Sequence, residues 1–154
     1  MHSRHASQAF TSTGLFYRGV RAEPSQVTML RQALDRWLDR LHLEVELGQD
    51  VLLASYEALA NAVEHAYPDG YGDRVGAVDL EAVYRPGERS VEVIVTDHGR
   101  WRTPEDPSGD SCRGHGLALI RTLTSHTDVV TVPDGTSVSM KWDVSTSPAL
   151  VAAP

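Results

Sequence analysis

Glu57, Asn61 and His65 recur every four residues within YEALANAVEHAYPDG, residues 56–70. That spacing stacks a carboxylate, a carboxamide and an imidazole along one face of a helix, with Glu64 beside them. A carboxylate and an amide one turn apart can share a hydrated metal, because magnesium keeps several waters and needs few protein oxygens. The same stripe would serve equally as a solvated helix face. In TDHG, residues 96–99, a strand ends in Asp97 and is followed two residues on by Gly99. A carboxylate there can accept a hydrogen bond from an exocyclic amine, and a glycine lets a flat ring approach the backbone; an ordinary Asp–Gly turn has the same composition. RGHGLALI, residues 113–120, opens an apolar helix from glycine. Free N–H groups, the positive end of the helix dipole and Arg113 would make an anion site, although a lone G-x-G also begins many helices that bind nothing.

The elements that must hold these groups can be read from periodicity. TSTGLFYRGV (11–20) alternates as a strand, and Pro24 stands where a helix often begins. Val27, Leu30, Leu34, Trp37, Leu38 and Leu41 then follow helical spacing over 25–41. A second helix is expected from about Leu47 to Tyr67, stopped by Pro68, Asp69 and Gly70. AVDLEAVYR and SVEVIVTD alternate around PGER, which is the pattern of an antiparallel hairpin. Residues 100–113 hold two prolines and almost no apolar side chain, so they read as a loop able to close over a ligand. GHGLALIRTLT gives a third helix, and DVVTV, PDG and TSVSMKWDV a second hairpin. Two hairpins and three helices imply an α+β two-layer sandwich, a mixed, mostly antiparallel sheet with the helices on one face. Residues 11–144 would form the domain, with tails at 1–10 and 145–154.

Composition narrows the chemistry. At 154 residues the chain is one domain's worth, and its net charge of −7 argues against a protein that grips nucleic acid through phosphate neutralisation. Lys141 is the only lysine among 14 basic residues, so a P-loop is excluded and phosphate must be met by arginine, backbone N–H groups or a metal. Cys112 stands alone, which rules out an internal disulfide and any multi-cysteine zinc site. No apolar run approaches a membrane span, and MHSRHASQAF lacks the apolar core of a signal peptide. The expectation is a cytoplasmic protein with a small ligand or protein partner and no membrane or direct nucleic-acid contact.

Taken in order, a metal-binding helix face, an aspartate for a purine and a glycine-rich helix start make a lysine-free nucleotide site. EALANAVEHA resembles the N box, TDHG the first glycine box and GHGLALI the second glycine box of the gyrase, histidine-kinase and MutL ATPase superfamily. The spacing and the final GTSVSMKW are most similar to the anti-sigma factor serine kinases of bacterial partner-switching systems. The resemblance implies a Bergerat-type fold that binds ATP and Mg2+ and works as a homodimer. It makes Asn61 the metal ligand and Glu57 the base that takes the proton from a substrate serine. Asp97 would bind the adenine amine with Thr136 supporting it through water, and Gly99 would lie beside the ring. His65 and Arg113 would join the ATP site, while Gly114, His115, Gly116 and Leu117 would offer N–H groups to the phosphates. Arg31 occupies the position of a partner-contacting arginine. The implied partners are an anti-sigma-factor antagonist, phosphorylated on serine, and a sigma factor.

Three features depart from the family pattern. Trp101 stands where the first glycine box has its second glycine, Ser111 and Cys112 stand where the phosphate-holding arginine usually falls, and Glu64 adds an acid beside the metal position. An inactive nucleotide-dependent binding module and a detached histidine-kinase catalytic domain are the alternative readings.

Overall fold

The computed structural model describes residues 14–66, 76–99 and 111–144; of residues 65, 66 and 111–115 it describes the backbone alone. The chain order is β1 (Gly14–Arg21), α1 (Pro24–Leu41), α2 (Val45–Ala66), β2 (Ala77–Arg85), β3 (Ser90–Asp97), α3 (Ser111–Leu123), β4 (His126–Val132) and β5 (Gly135–Asp143). The five strands form one sheet in the order β1-β2-β3-β5-β4. All four neighbouring pairs are antiparallel, so the parallel component allowed for by a mixed sheet is absent among the described residues.

Alternation in the sequence becomes two faces in space. Val78, Leu80 and Ala82 of β2, Val91, Val93 and Val95 of β3, and Val138, Met140 and Trp142 of β5 are all buried against the helices. Full burial of an aliphatic side chain of this size contributes about 1.5–3 kcal/mol. Their neighbours Asp79, Glu81, Glu92, Thr96, Ser137 and Ser139 belong to the other, open face, where they are only partly buried.

Helix α1 starts at Pro24 without a side-chain cap and ends at Leu41, capped by His42, whose φ of 52° reverses the chain. Its buried residues, Val27, Leu30, Ala33, Leu34, Trp37 and Leu38, include the stripe read from periodicity except Leu41, which packs at the core's edge. Helix α2 begins at Val45, two residues before the expected start, and its buried side is built from small residues: Ala54, Ser55, Ala58 and Ala62 surround Val51 and Leu59. Small side chains allow α2 to lie close to its neighbours. Helix α3 is tied to the sheet at its far end, where the Trp142 indole N–H donates to the Leu123 carbonyl at 2.7 Å.

The strand order has a direct consequence for the candidate site. Because β5 inserts between β3 and β4, Asp97 at the end of β3 lies opposite Thr136 at the start of β5. Gly135 completes that junction. A Cβ on Gly135 would overlap the Asp97 carbonyl oxygen and stand 3.1 Å from its carbon and 3.2 Å from the His98 Cα. Gly135→Ala must therefore push the β4–β5 turn away from β3. Overpacking of this kind costs about 1–3 kcal/mol, so the variant is expected to show a lower urea midpoint with an unchanged slope; an unchanged midpoint would contradict the close approach.

Candidate nucleotide site

Asp97 is the last residue of β3 and, like Val91, Val93 and Val95 before it, faces the helices; it is 2% exposed. One of its carboxylate oxygens, Oδ1, accepts the Gly99 N–H at 3.1 Å, which turns the chain sharply after the strand. Beside it Thr136 is equally buried, and among the described residues its hydroxyl oxygen has no hydrogen-bond partner. A buried hydroxyl left unpaired is unfavourable by about 1–3 kcal/mol. Ligand or water reaching the Asp97 end would remove that penalty. The family resemblance implies one task for both residues, and the register sets them side by side.

A second pair joins α2 to α3. Asn61 lies in the second half of α2, 7% exposed, and Gly116 of α3 sits against its carboxamide. An added Cβ on Gly116 would come within 2.6 Å of Asn61 Nδ2 and 3.0 Å of its Oδ1. The glycine is thus required for close approach, and Asn61 of α2 meets the glycine-rich start of α3 through it.

Helix α3 begins at Ser111 rather than at Gly114. Glycine reads as punctuation in a sequence, but Ser111, Cys112 and Arg113 contain no breaker and serine is well suited to a helix start. Residues 111–113 of the expected loop are therefore helical. The unpaired N–H groups of such a helix belong to its first turn, so the amides of Gly114, His115, Gly116 and Leu117 fall one turn later, within the hydrogen-bonded ladder. Leu117 is partly buried against the core. The side chains of His65, Arg113 and His115 lie outside the described residues, as do Trp101 with the rest of 100–110, residues 67–75 and the two expected tails.

Glu57 is partly buried, one turn before Asn61. Its neighbour Tyr56 is 38% exposed and carries the Arg31 guanidinium 5.9 Å from its ring centre, a cation–π contact between α1 and α2. The arginine expected to meet a partner is thereby held against Tyr56, the residue that precedes Glu57 in the sequence. Glu64 is exposed on the outer side of α2. Among the described residues no group of three or more His, Cys, Asp or Glu could hold a metal, so any cation here would need oxygens from the nucleotide as well as Asn61.

A cavity of about 360 Å³ lies elsewhere, lined by Asp35, Leu38, His42, Leu43, Gly48 and Leu52 among others at the α1–α2 corner. Gly48 and Asn61 are 13 residues apart on α2, roughly 20 Å at 1.5 Å per residue. Sequence reasoning missed a further group altogether. Asp79 on β2 accepts the Gly19 N–H at 2.8 Å through Oδ1 and pairs through Oδ2 with His98 Nε2 at 3.0 Å. His98 stood in the quoted TDHG, and Asp79 at an outward position of β2, but nothing in the sequence pairs them.

Residues 20–142 match the family model described as the histidine kinase-like ATPase domain. The chain belongs to that family, a class of nucleotide-binding, kinase-like modules. Solved structures share the fold. The chain is similar to the structure of the RsbU and RsbW domains of a Mycobacterium tuberculosis protein, at 24% identity and a TM-score of 0.67 over 87% of this chain and 33% of that one. The histidine kinase domain of a blue-light activated histidine kinase from Erythrobacter litoralis gives 24% and 0.54 over 83% of this chain and 64% of that one. In the SiaB–SiaC complex of Pseudomonas aeruginosa the values are 15% and 0.56, over 83% of this chain and 88% of that one. This chain thus spans about a third of the first of these proteins and less than two thirds of the second. No described helix is long and apolar enough to cross a membrane.

Proposed function

We propose that this protein is a cytoplasmic, homodimeric switch kinase of the anti-sigma factor type, which binds ATP with Mg2+, phosphorylates a serine of an anti-sigma-factor antagonist and sequesters a sigma factor. The observation that carries the nucleotide reading is the buried Thr136 hydroxyl, without a hydrogen-bond partner among the described residues, beside the buried Asp97 carboxylate. Two acceptors and a donor in a dry place at a strand end suit an adenine amine and a bridging water. Asn61 would hold Mg2+, which when bound neutralises charge on the phosphates.

For the phosphates themselves, the first turns of α3 would have to release amides from the helical ladder. Glycine within a helix is less favourable than alanine by about 1 kcal/mol, so Gly114 and Gly116 make that rearrangement inexpensive. Glu57 would take the proton of the substrate serine as its oxygen attacks the terminal phosphorus. The bond to the bridging oxygen breaks and ADP leaves with the electron pair. Positioning carries most of such a reaction. The Arg31–Tyr56 contact between α1 and α2 supports a protein substrate approaching across those helices, and SiaB, solved as a complex with SiaC, supports a protein partner for this fold.

Calorimetry with ATP, with and without Mg2+, followed by incubation with labelled ATP and the cognate antagonist, tests the proposal. Magnesium-dependent binding and label on serine are expected. Absence of nucleotide binding would overturn the site, and binding without transfer would leave an inactive binding module, the reading that Trp101 and the Ser111–Cys112 pair favour. Label on a histidine would identify a detached histidine-kinase domain instead.

A further inference from the structure

Helix α2 carries two apolar stripes. Val51, Ala54, Ala58 and Leu59 make its buried side, whereas Val45, Leu52 and Leu53, at i, i+7 and i+8, group on its outward side. Val45 is 74% exposed and Leu53 43%. A surface helix uses one stripe against its own core, and apolar side chains grouped outward within a polar rim mark a face for a partner. The cavity at the α1–α2 corner opens beside this stripe and shares Val45 and Leu52 with it, while Leu38 and Leu43 supply its other apolar walls. Its rim is acidic. Asp35 and Asp39, one turn apart on α1, and Glu44 all line it, and among the lining groups only His42 can carry a positive charge. These three carboxylates are exposed, and no ion pair among the described residues involves them.

We propose that this corner is a docking groove for a short amphipathic helix of a partner protein, whose apolar face seats against Val45, Leu52 and Leu53 and whose lysines or arginines meet Asp35, Asp39 and Glu44. The inference stands apart from the nucleotide reading, because none of these residues is assigned to ATP and Gly48, in the groove, is roughly 20 Å from Asn61 along α2. Charge complementarity selects the occupant. An acidic rim repels nucleic acid and anionic lipid alike, and a second copy presenting the same groove would set carboxylate against carboxylate. A cationic helix is attracted by the rim and gains burial from the stripe. Val45 and Leu53 are eight residues apart on α2, a rise of about 12 Å, so roughly two turns of the occupant cover the stripe. Beyond it Tyr56 carries the Arg31 guanidinium 5.9 Å from its ring centre. That cation sets the polarity: the occupant's basic residues belong at the corner end, away from Arg31.

The test uses the full chain and a labelled synthetic peptide that forms an amphipathic helix, leucines on one face flanked by lysines, read by fluorescence anisotropy. Saturable binding that weakens as salt rises is expected. A peptide with every lysine changed to glutamate, and a scrambled peptide of the original composition with no apolar face, are expected to bind more weakly by about tenfold or more. Val45→Ser with Leu53→Ser, which leaves the charge unchanged, is expected to lose roughly tenfold in affinity. Asp35→Asn with Asp39→Asn is expected to lose roughly threefold to tenfold. Asp134→Asn with Asp143→Asn, the same change of charge on the β4–β5 hairpin, is expected to lose nothing. The four groove positions changed are exposed, so melting temperatures and ATP titrations are expected to match wild type, which separates this groove from the nucleotide site. No saturable peptide binding, equal binding of the scrambled peptide, or equal loss from the two pairs of Asp→Asn changes would overturn the proposal. So would binding to anionic lipid vesicles, or a dimer of the chain alone, that the Val45 and Leu53 changes abolish, since either gives the groove another occupant.

Discussion

Glu57→Gln is expected to lower serine phosphorylation of the antagonist by about a hundredfold to ten-thousandfold, the usual contribution of a positioned general base, with nucleotide affinity unchanged. Glutamine matches glutamate in size and in helix propensity, and Glu57 is only partly buried on α2, so the helix has no reason to move. What disappears is the acceptor for the serine proton. Partner binding should persist, because the contact between Arg31 and Tyr56 does not use the Glu57 carboxylate. The variant would then hold its target without being able to silence the antagonist. Transfer assays on both proteins, with nucleotide titrations in parallel, decide the matter. Similar rates from the two would remove Glu57 from the mechanism, and transfer by neither would favour the binding module.

How much of this could be read in the sequence depends on the range over which each interaction acts. The stripe from Val27 to Leu38 and the alternation in AVDLEAVYR and SVEVIVTD are local consequences of burial, and α1, β2 and β3 follow them closely. Periodicity assigns a face but not a neighbour. That β5 lies between β3 and β4, setting Thr136 against Asp97, is a matter of register that no window of residues contains. The pairing of His98 with Asp79 and the seat of Gly135 on Asp97 are tertiary for the same reason. The start of α3 was misread because glycine is a statistical breaker, whereas Ser111 to Arg113 continue the helix without obstruction. EALANAVEHA and GHGLALI stand apart in the sequence as separate motifs; the contact of Gly116 with Asn61 joins them.

That contact yields a prediction in which binding and stability part company. Asn61→Ala is expected to lose most magnesium-dependent ATP affinity. A bond from a polar group to a charged partner contributes about 1.5–3 kcal/mol, which corresponds to roughly ten- to hundredfold in affinity. A buried asparagine also supports its surroundings, so loss of binding alone could reflect a disturbed α2. Gly116→Ala resolves this without touching Asn61. The new Cβ would stand 2.6 Å from Nδ2 and 3.2 Å from Cγ, and its three nearest neighbours all belong to this one side chain, so the carboxamide must swing away. Alanine in place of a helical glycine contributes about 1 kcal/mol to α3, which offsets the strain of moving one side chain. The melting temperature is therefore expected to hold within a few degrees, yet magnesium-dependent ATP affinity should fall at least tenfold, and adding Asn61→Ala should lower it little further because both changes remove the same group. Thermal melts and calorimetry on the two single variants and the double read these signs directly. Wild-type affinity in Gly116→Ala, with the fold intact, would show that the position of the Asn61 carboxamide does not matter to the nucleotide and would end its assignment as the metal ligand.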